Sequence, residues 1–431
     1  MKKHNVSRRS FLKSTAALAS ISIVPRYVLG GAGFIAPSDK ITFGVIGTGK
    51  QSIGLAKRFG ALDEAMVVAA SDVQQSRYDN FKNIVEKFYS EEKGTSLSLR
   101  SYPMFEELLD QSDIDAVIIA TPDHWHANPT IMAAQKGKDI YCEKPLSHTI
   151  EEGRLMVDAA TKYKRILQTG SMQRSREGFR NACELVRNGY LGELKKVIVS
   201  VGDPAVKCDL PKMDTPANID WDRWIGPAKM RSWHPKICPS LEQDSWAMWR
   251  EYEEFGGGIL SDWGAHMFDI AQWGMGTDDT GPVKIIPPTD KGATRGCRFI
   301  YENGLEMVHE DFGRGWAVRF IGEEGELDVS RKFFETRAEN IKDNVGKGDI
   351  KLYKSDNHYQ DTIDAIKNRT EPICPGEIGH RSASICQLGN IAYDLRKPLN
   401  WDPVKEEFDN SKANKMRGKK YRSGYELIRE V

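Results

Sequence analysis

A lysine, a histidine and several carboxylates stand in this chain at spacings suited to moving a proton. Lys144 sits in Glu143-Lys144-Pro145, directly after the short strand expected at residues 139–142. Asp262, His266 and Asp269 recur at i, i+4 and i+7 within Ser261-Asp262-Trp263-Gly264-Ala265-His266-Met267-Phe268-Asp269. If a helix begins at Asp262, that repeat places all three on one face. A desolvated lysine can have its pKa lowered toward proton-transfer duty. A histidine one turn from a carboxylate is oriented and made more basic by it, which suits removing a hydroxyl proton while hydride leaves the same carbon. Each group also has an ordinary reading: Lys144 as a surface lysine beside a rigid turn, His266 as a hydrogen-bonded core histidine in a capped helix.

These groups need elements to position them. Residues 116–120 form a continuous apolar run ending at Thr121-Pro122, the pattern of a strand buried on both faces of a parallel sheet. A helix at 129–136, stopped by Gly137, leads to a second strand at 139–142. Ligands of open α/β sheets bind at the carboxyl ends of the strands, which is where Asp123-His124-Trp125-His126 and Glu143-Lys144-Pro145 fall. Upstream, a strand at 41–46 runs into Gly47-Thr48-Gly49 and a helix to about residue 59. Glycines at such a turn let the backbone approach a pyrophosphate, which the helix N-terminus then stabilises. The third position of the usual G-x-G-x-x-G pattern is Ser52 here, with Gly54 two residues later. A strand at 66–70 ends at Ser71-Asp72. Asp72 is placed to accept hydrogen bonds from an adenosine ribose, favouring NAD because a carboxylate repels the 2′-phosphate of NADP. Arg77 leaves room for NADP, and Asp72 also reads as an ordinary loop or cap aspartate.

Helices at 105–109 and 150–163 and a strand at 166–169, followed by Gly170-Ser171-Met172-Gln173-Arg174, complete the alternation. The expected fold is α/β: a doubly wound parallel sheet over residues 39–170. A helix at 179–188 then leads to strands at 195–201, 296–301, 305–309, 317–322 and 325–329. Residues 171–431 therefore read as an α+β domain with an open, mostly antiparallel sheet, its last helices (358–367 and 377–388) returning to the first domain. Tryptophans crowd residues 221–273. Their rings suit stacking on a sugar with Arg250 or His234 at its hydroxyls, although aromatic residues belong more often to a core.

Residues 7–25 carry paired arginines, a lysine and a short apolar run, the pattern of a twin-arginine export signal, so residues 1–38 are set apart and a periplasmic destination is expected. That route moves folded proteins. The apolar run is too short to span a bilayer comfortably. Seven cysteines without a C-x-x-C pair indicate neither a disulfide framework nor a zinc cage. Lys plus Arg equals Asp plus Glu at 61 each, which leaves no electrostatic footprint for nucleic acid.

Gly47-x-Gly49, Asp72, Thr121-Pro122 with His126, and Glu143-Lys144-Pro145 occur in the order and spacing of the Gfo/Idh/MocA oxidoreductases, which include glucose–fructose oxidoreductase and inositol dehydrogenase. The resemblance covers nearly the whole chain after the export signal, since Asp262-x-x-x-His266 matches that family's second motif. With the export signal, Asp-His-Trp-His and the tryptophan-rich second half, the chain looks like a branch common in Bacteroidota. The resemblance implies an N-terminal Rossmann domain holding NAD through Gly47, Thr48, Gly49, Asp72, Thr121, Pro122, His126, Glu143, Lys144 and Gln173. It implies His266 as general base, Asp262 orienting it or the sugar, and Lys144 hydrogen-bonding the reacting hydroxyl. Arg174, Trp249, Arg250 and Asp269 are candidate substrate contacts, and a homo-oligomer is implied. A metal is not expected, because Lys144 beside Asp262 and His266 would repel a cation.

The expected activity is oxidation of a secondary hydroxyl on a sugar, cyclitol or glycoside by a tightly held nicotinamide cofactor. Free NAD is scarce outside the cytoplasm, which favours recycling on the enzyme. The alternatives are NAD-assisted, redox-neutral cleavage, elimination or epimerisation of a glycoside, and a non-catalytic sugar-binding protein on the same fold.

Overall fold

The computed structural model describes residues 39–431 apart from Glu242, Asp244 and Glu339; the export signal expected within residues 1–38 lies outside the described residues. Strand β1 (Ile41–Ile46) is followed by helix α1 (Lys50–Ala61), β2 (Ala65–Ser71), α2 (Gln75–Glu92), β3 (Arg100–Tyr102) and α3 (Phe105–Leu109). Then come β4 (Ala116–Ile119), α4 (Ala127–Gln135), β5 (Asp139–Cys142), α5 (Ile150–Lys162) and β6 (Leu167–Thr169). All six strands pair in parallel in the order β3-β2-β1-β4-β5-β6, the doubly wound Rossmann arrangement. Every residue of β4 and β5 is buried, as expected when helices cover both faces of a sheet; their one charged residue, Asp139, accepts from Arg369 Nη1 at 2.7 Å. Helix α2 has no counterpart among the elements expected from the sequence. Its buried Tyr78, Phe81, Val85, Phe88 and Tyr89 nevertheless follow the helical period.

The chain continues through α6 (Glu177–Arg187), β7 (Leu194–Ser200), α7 (Gly258–Asp262) and α8 (Gly264–Met275). Six strands follow: β8 (Lys284–Ile286), β9 (Cys297–Ile300), β10 (Glu306–His309), β11 (Ala317–Gly322), β12 (Glu326–Ser330) and β13 (Phe334–Thr336). It closes with α9 (His358–Asn368), α10 (Gly376–Leu395), β14 (Leu399–Asp402) and β15 (Glu407–Phe408). These nine strands form the order β13-β12-β11-β7-β10-β9-β8-β14-β15, antiparallel at every described pairing except β7 with β10. Helix α8 is buried from Gly264 to Gly274. Its Met267, Phe268, Ile270 and Ala271 join Val197, Phe299 and Phe320 of the sheet and Ile385 of α10 in one core, each large side chain stabilising by roughly 1.5–3 kcal/mol on burial. The returning helices bind the parallel sheet: Thr169 N donates to Cys374 O at 2.9 Å, and Gln168 Nε2 donates to His358 O at 2.9 Å.

The helix expected to begin at Asp262 is instead interrupted there. The Asp262 carbonyl accepts from Lys144 Nζ at 2.7 Å, while His266 N turns to Trp263 O at 3.1 Å. A lysine from the parallel sheet thus caps the last carbonyl of α7, and α8 starts afresh at Gly264. Asp262, His266 and Asp269 do not share one continuous face, and each has its own partners.

Candidate active site

The carboxyl edge of the parallel sheet opens into a cavity of about 890 Å3, bordered by Gly47, Gly49 and Asp72 on one side and by Lys144, Asp262 and His266 on the other. Its size suits a small-molecule ligand or cofactor.

The nucleotide side is built on the turn after β1. Gly47 has φ +86°, and a Cβ there would stand 2.9 Å from Thr121 N, so the β1 and β4 turns touch only because this position is glycine. A Cβ on Gly49 would meet nothing within 4 Å, and Gly49 caps the N-terminus of α1 without a side-chain bond to its amides. Asp72 Oδ2 accepts from Thr48 N at 2.7 Å and Thr48 Oγ1 at 2.9 Å, while Oδ1 accepts from Gln74 N at 2.9 Å. Thr48 itself is buried and stays outside the lining; its part is to fix Asp72. Arg77 donates to Gln74 Oε1 at 2.9 Å and to Pro239 O, so it is engaged by the protein. Thr121 Oγ1 is a buried hydroxyl with no partner among the described residues, in the lining beside Pro122. An uncapped helix N-terminus, a glycine cradle, a fixed carboxylate and an orphaned hydroxyl fit a dinucleotide.

His126 holds that wall together. It shares hydrogen bonds with Pro145 O (2.9 Å, Nδ1) and Thr121 O (3.0 Å, Nε2), tying the turns after β4 and β5 to each other. Glu143 accepts from Gln51 Nε2 at 2.9 Å, and burial raises its carboxyl pKa against the pull of Lys144 and Gln51. Gln173 is wholly buried, its amide atoms lack partners among the described residues, and it lies outside the cavity lining. Its expected cofactor contact is therefore not formed by its position.

On the reaction side, Lys144 Nζ donates to Asp262 Oδ1 at 2.6 Å, and Arg250 Nε stands 3.4 Å from the same oxygen. Burial opposes the Asp262 charge, but the Lys144 ammonium and Arg250 guanidinium outweigh it and hold the carboxyl below its ordinary pKa. Arg250 is stacked over Trp249 at 4.2 Å and over Trp246 at 5.1 Å. His266 is not paired with Asp262. Its Nε2 accepts from Arg331 Nη2 at 3.0 Å, which leaves the proton of the neutral ring on Nδ1, a buried atom without a partner among the described residues. Burial, then the charges of Lys144 and Arg331, depress the imidazole well below its ordinary pKa. The expectation that a carboxylate makes His266 more basic is thus corrected: Lys144 and Arg250 take that carboxylate.

Arg174 and Asp269 are also corrected as substrate contacts. Arg174 is 1% exposed and Asp269 0%, outside the cavity lining. Arg174 Nε donates to both Asp269 oxygens at 2.9–3.0 Å, its terminal nitrogens donate to Asp278 at 2.7–2.9 Å, and Ser382 Oγ donates to Asp269 at 2.8 Å. This cluster braces α8 from behind. Among the tryptophans of residues 221–273, Trp224, Trp246, Trp249 and Trp263 line the cavity, whereas Trp221 stands behind it, stacked on Trp224 at 4.7 Å in the apolar core that also holds Trp249. His234 lies outside the lining, its Nδ1 accepting from Lys236 N at 3.1 Å.

Two groups absent from the expected site belong to it. Asp123, 3% exposed, lines the cavity, and burial reinforced by the Asp262 charge pushes its carboxyl pKa up to about 8. It was visible as part of Asp-His-Trp-His at the sheet edge. Arg331 reaches in from the turn after β12, with Trp316 stacked on Trp263 at 4.7 Å beside it. Nothing local in the sequence marks Arg331 or Trp316, because the second sheet brings them there.

Among the described residues no group of His, Cys, Asp and Glu is arranged to hold a metal ion, and no helix is long and apolar enough to cross a membrane.

Residues 41–171 match the NAD-binding Rossmann fold of the Gfo/Idh/MocA oxidoreductase family, and residues 183–427 match that family's C-terminal alpha/beta domain. A glycosyl hydrolase family 109 protein 1 of Shewanella sp. strain MR-4 is 31% identical over 215 residues, 44% of this chain and 45% of that protein. The chain spans less than half the length of the curated relatives it matches. Among solved structures, the WlbA dehydrogenase of Bordetella pertussis in complex with NADH and UDP-GlcNAcA superposes with TM-score 0.61 at 18% identity, covering 84% of this chain and 98% of that one. An aldose-aldose oxidoreductase of Caulobacter crescentus gives TM-score 0.57 at 20% identity over 84% and 99% of the two chains; at these identities the likeness is one of fold. The two family domains together account for both sheets, and the chain belongs to the Gfo/Idh/MocA oxidoreductase family.

Proposed function

We propose that this protein is an NAD-dependent oxidoreductase acting on a secondary hydroxyl of a sugar, cyclitol or glycoside. The observation that carries the reading is the Lys144–Asp262 pair with the neutral His266 beside it, facing the glycine turn and Asp72 across one cavity. Bound along Gly47, Gly49, Asp72 and Thr121, NAD would supply the hydride acceptor. The carboxylate of Asp72 and the engagement of Arg77 favour NAD over NADP. Lys144, fixed through two bonds to Asp262, donates its remaining hydrogen bond to the reacting hydroxyl, and its charge favours the alkoxide. His266, neutral, receives the hydroxyl proton at Nε2 once Arg331 withdraws. Arg250 on its tryptophan stack supports both Asp262 and a sugar face.

The relatives WlbA and aldose-aldose oxidoreductase are described by sugar chemistry, which supports the substrate class. Asp123 favours a second, redox-neutral reading. A carboxylic acid held neutral in the cavity can protonate a departing glycosidic oxygen, and the glycosyl hydrolase relatives point the same way. We further propose export by the twin-arginine route with the cofactor already bound, and assembly as a homo-oligomer. The test is a panel of aldoses, uronic acids, polyols and aryl glycosides, the glycosides including aryl glycosiduronic acids, offered to NAD-loaded protein, followed by nicotinamide absorbance and by release of the aryl group. Reduction without release supports oxidation; release without net reduction supports the second reading. Inertness toward the whole panel with NAD bound would count against both.

A further inference from the structure

The reaction side of the cavity holds more positive than negative charge. Asp262 is a single carboxylate between Lys144 and Arg250. Arg331 adds a third cation and, among the described residues, makes no ion pair; its bonded partner is the neutral ring of His266 at 3.0 Å. The charges that act on it are the guanidinium of Arg176, which opposes its own, and the carboxylates of Glu143 and Asp262, which support it without an ion pair to it. Both guanidiniums are exposed to solvent, so water satisfies them until an anion entering the cavity offers Arg331 a bidentate partner. The Asp123 carboxyl, at about 8, does not supply that charge at neutral pH.

The surroundings of Arg331 look prepared for a ligand. Its guanidinium lies 4.6 Å over Trp263, which stacks on Trp316, and both rings line the cavity. Trp316 holds φ +57°, a left-handed conformation that strains a residue with a Cβ. The turn carrying Arg331 is pinned by Ser330 Oγ, which accepts from Lys332 N at 3.0 Å and Phe333 N at 3.2 Å.

Building on the proposed function, we infer that the substrate is an acidic sugar whose carboxylate pairs with Arg331 while its ring lies against the Trp263–Trp316 platform. A carboxylate engages a guanidinium through two parallel bonds, a geometry that neither a neutral hydroxymethyl group nor the imidazole can match. Binding therefore does two things. It compensates Arg331, and it draws the guanidinium off His266 Nε2, the atom that must be free to take the hydroxyl proton. The acid group both selects the substrate and uncovers the base, so neutral sugars leave His266 blocked.

The test is calorimetric titration of NAD-loaded protein with matched ligands: glucuronate, galacturonate and mannuronate, each against its 6-methyl ester and its parent aldose. The expected result is that at least one acid binds about tenfold or more tightly than both neutral partners, and that Arg331→Gln removes this preference while NAD affinity is unchanged. The ester comparison needs no variant, so it stands even if Arg331→Gln folds poorly. Nitrogen-15 shifts of His266 should report loss of the Arg331 bond on adding the acid. Equal binding of acid and ester, or preference retained in Arg331→Gln, overturns the inference. Neutral sugars binding while acids do not leaves the proposed function standing and sinks this one. Failure of every pair to bind counts against both.

Discussion

Replacing Lys144 by methionine separates the charge of this side chain from the space it fills. Asp262 is only 15% exposed and has Lys144 at 2.6 Å and Arg250 at 3.4 Å. Removing one partner of a buried ion pair costs about 3–5 kcal/mol. The remaining arginine puts the expectation at the lower end, about 3 kcal/mol. With an unfolding entropy of about 2.1 cal/mol/K per residue over the roughly 390 residues of Ile41–Val431, that is about 4 °C in Tm. The sign with pH follows from the Asp262 carboxyl, held below its ordinary value despite burial by Lys144 and Arg250. In the wild type the resulting stability is present above the unfolded carboxylate pKa and is lost as pH falls through the folded one. In the variant burial acts without the ammonium, so the folded pKa rises, and a protonated Asp262 needs no cation. The difference in Tm between the two proteins should be widest near neutrality and should narrow as pH falls into and below the ordinary carboxylate range. Thermal unfolding followed by circular dichroism across that range measures it, and turnover should fall about 10²-fold or more. A Tm difference independent of pH would refute the reasoning, because Lys144 would then be filling space rather than balancing charge.

Three other perturbations test separate parts of the account. For Asp123 the folded pKa is raised, so wild-type stability falls as pH rises from about 4 through about 8; Asp123→Asn should flatten that slope, gaining up to about 1.4 kcal/mol per pH unit in the window, and an unchanged slope in chemical denaturation would contradict the raised value. Asp72→Asn removes the charge that faces a 2′-phosphate, and the NADP-to-NAD affinity ratio should rise at least roughly tenfold; calorimetry showing no change would mean that Asp72 serves Thr48 alone. Asp269→Asn leaves Arg174 partly uncompensated in a fully buried site, costing about 3–5 kcal/mol, with nucleotide affinity little altered in whatever folds. A selective loss of sugar binding at full stability would restore Asp269 to the substrate site.

The parallel sheet was legible because its signals are local. Buried strands such as Ala116–Ile119 are apolar throughout, and Gly47-Thr48-Gly49 and Glu143-Lys144-Pro145 end strands at the edge where ligands sit. Helix Gln75–Glu92 was equally readable from the spacing of Tyr78, Phe81 and Val85, yet it had no place in the expected alternation. The failures share another cause. Asp262 and His266 look like one helical pair until a lysine 118 residues away takes the Asp262 carbonyl. Arg174 and Asp269 look like a sugar clamp until α8 and α10 close over them. Arg331 carries no motif, and its proximity to His266 exists only in the folded chain. Each depends on which tertiary neighbour satisfies a charge, and local periodicity holds no information about that choice.

The central claim is that Gly47, Gly49, Asp72 and Thr121 hold NAD for chemistry at Lys144 and His266. Its most direct test is to denature dialysed, purified protein and identify the released nucleotide by mass and absorbance. The expected result is NAD or NADH near one per chain, retained through dialysis, with little NADP. Protein that carries no nucleotide and binds added NAD only weakly would contradict it.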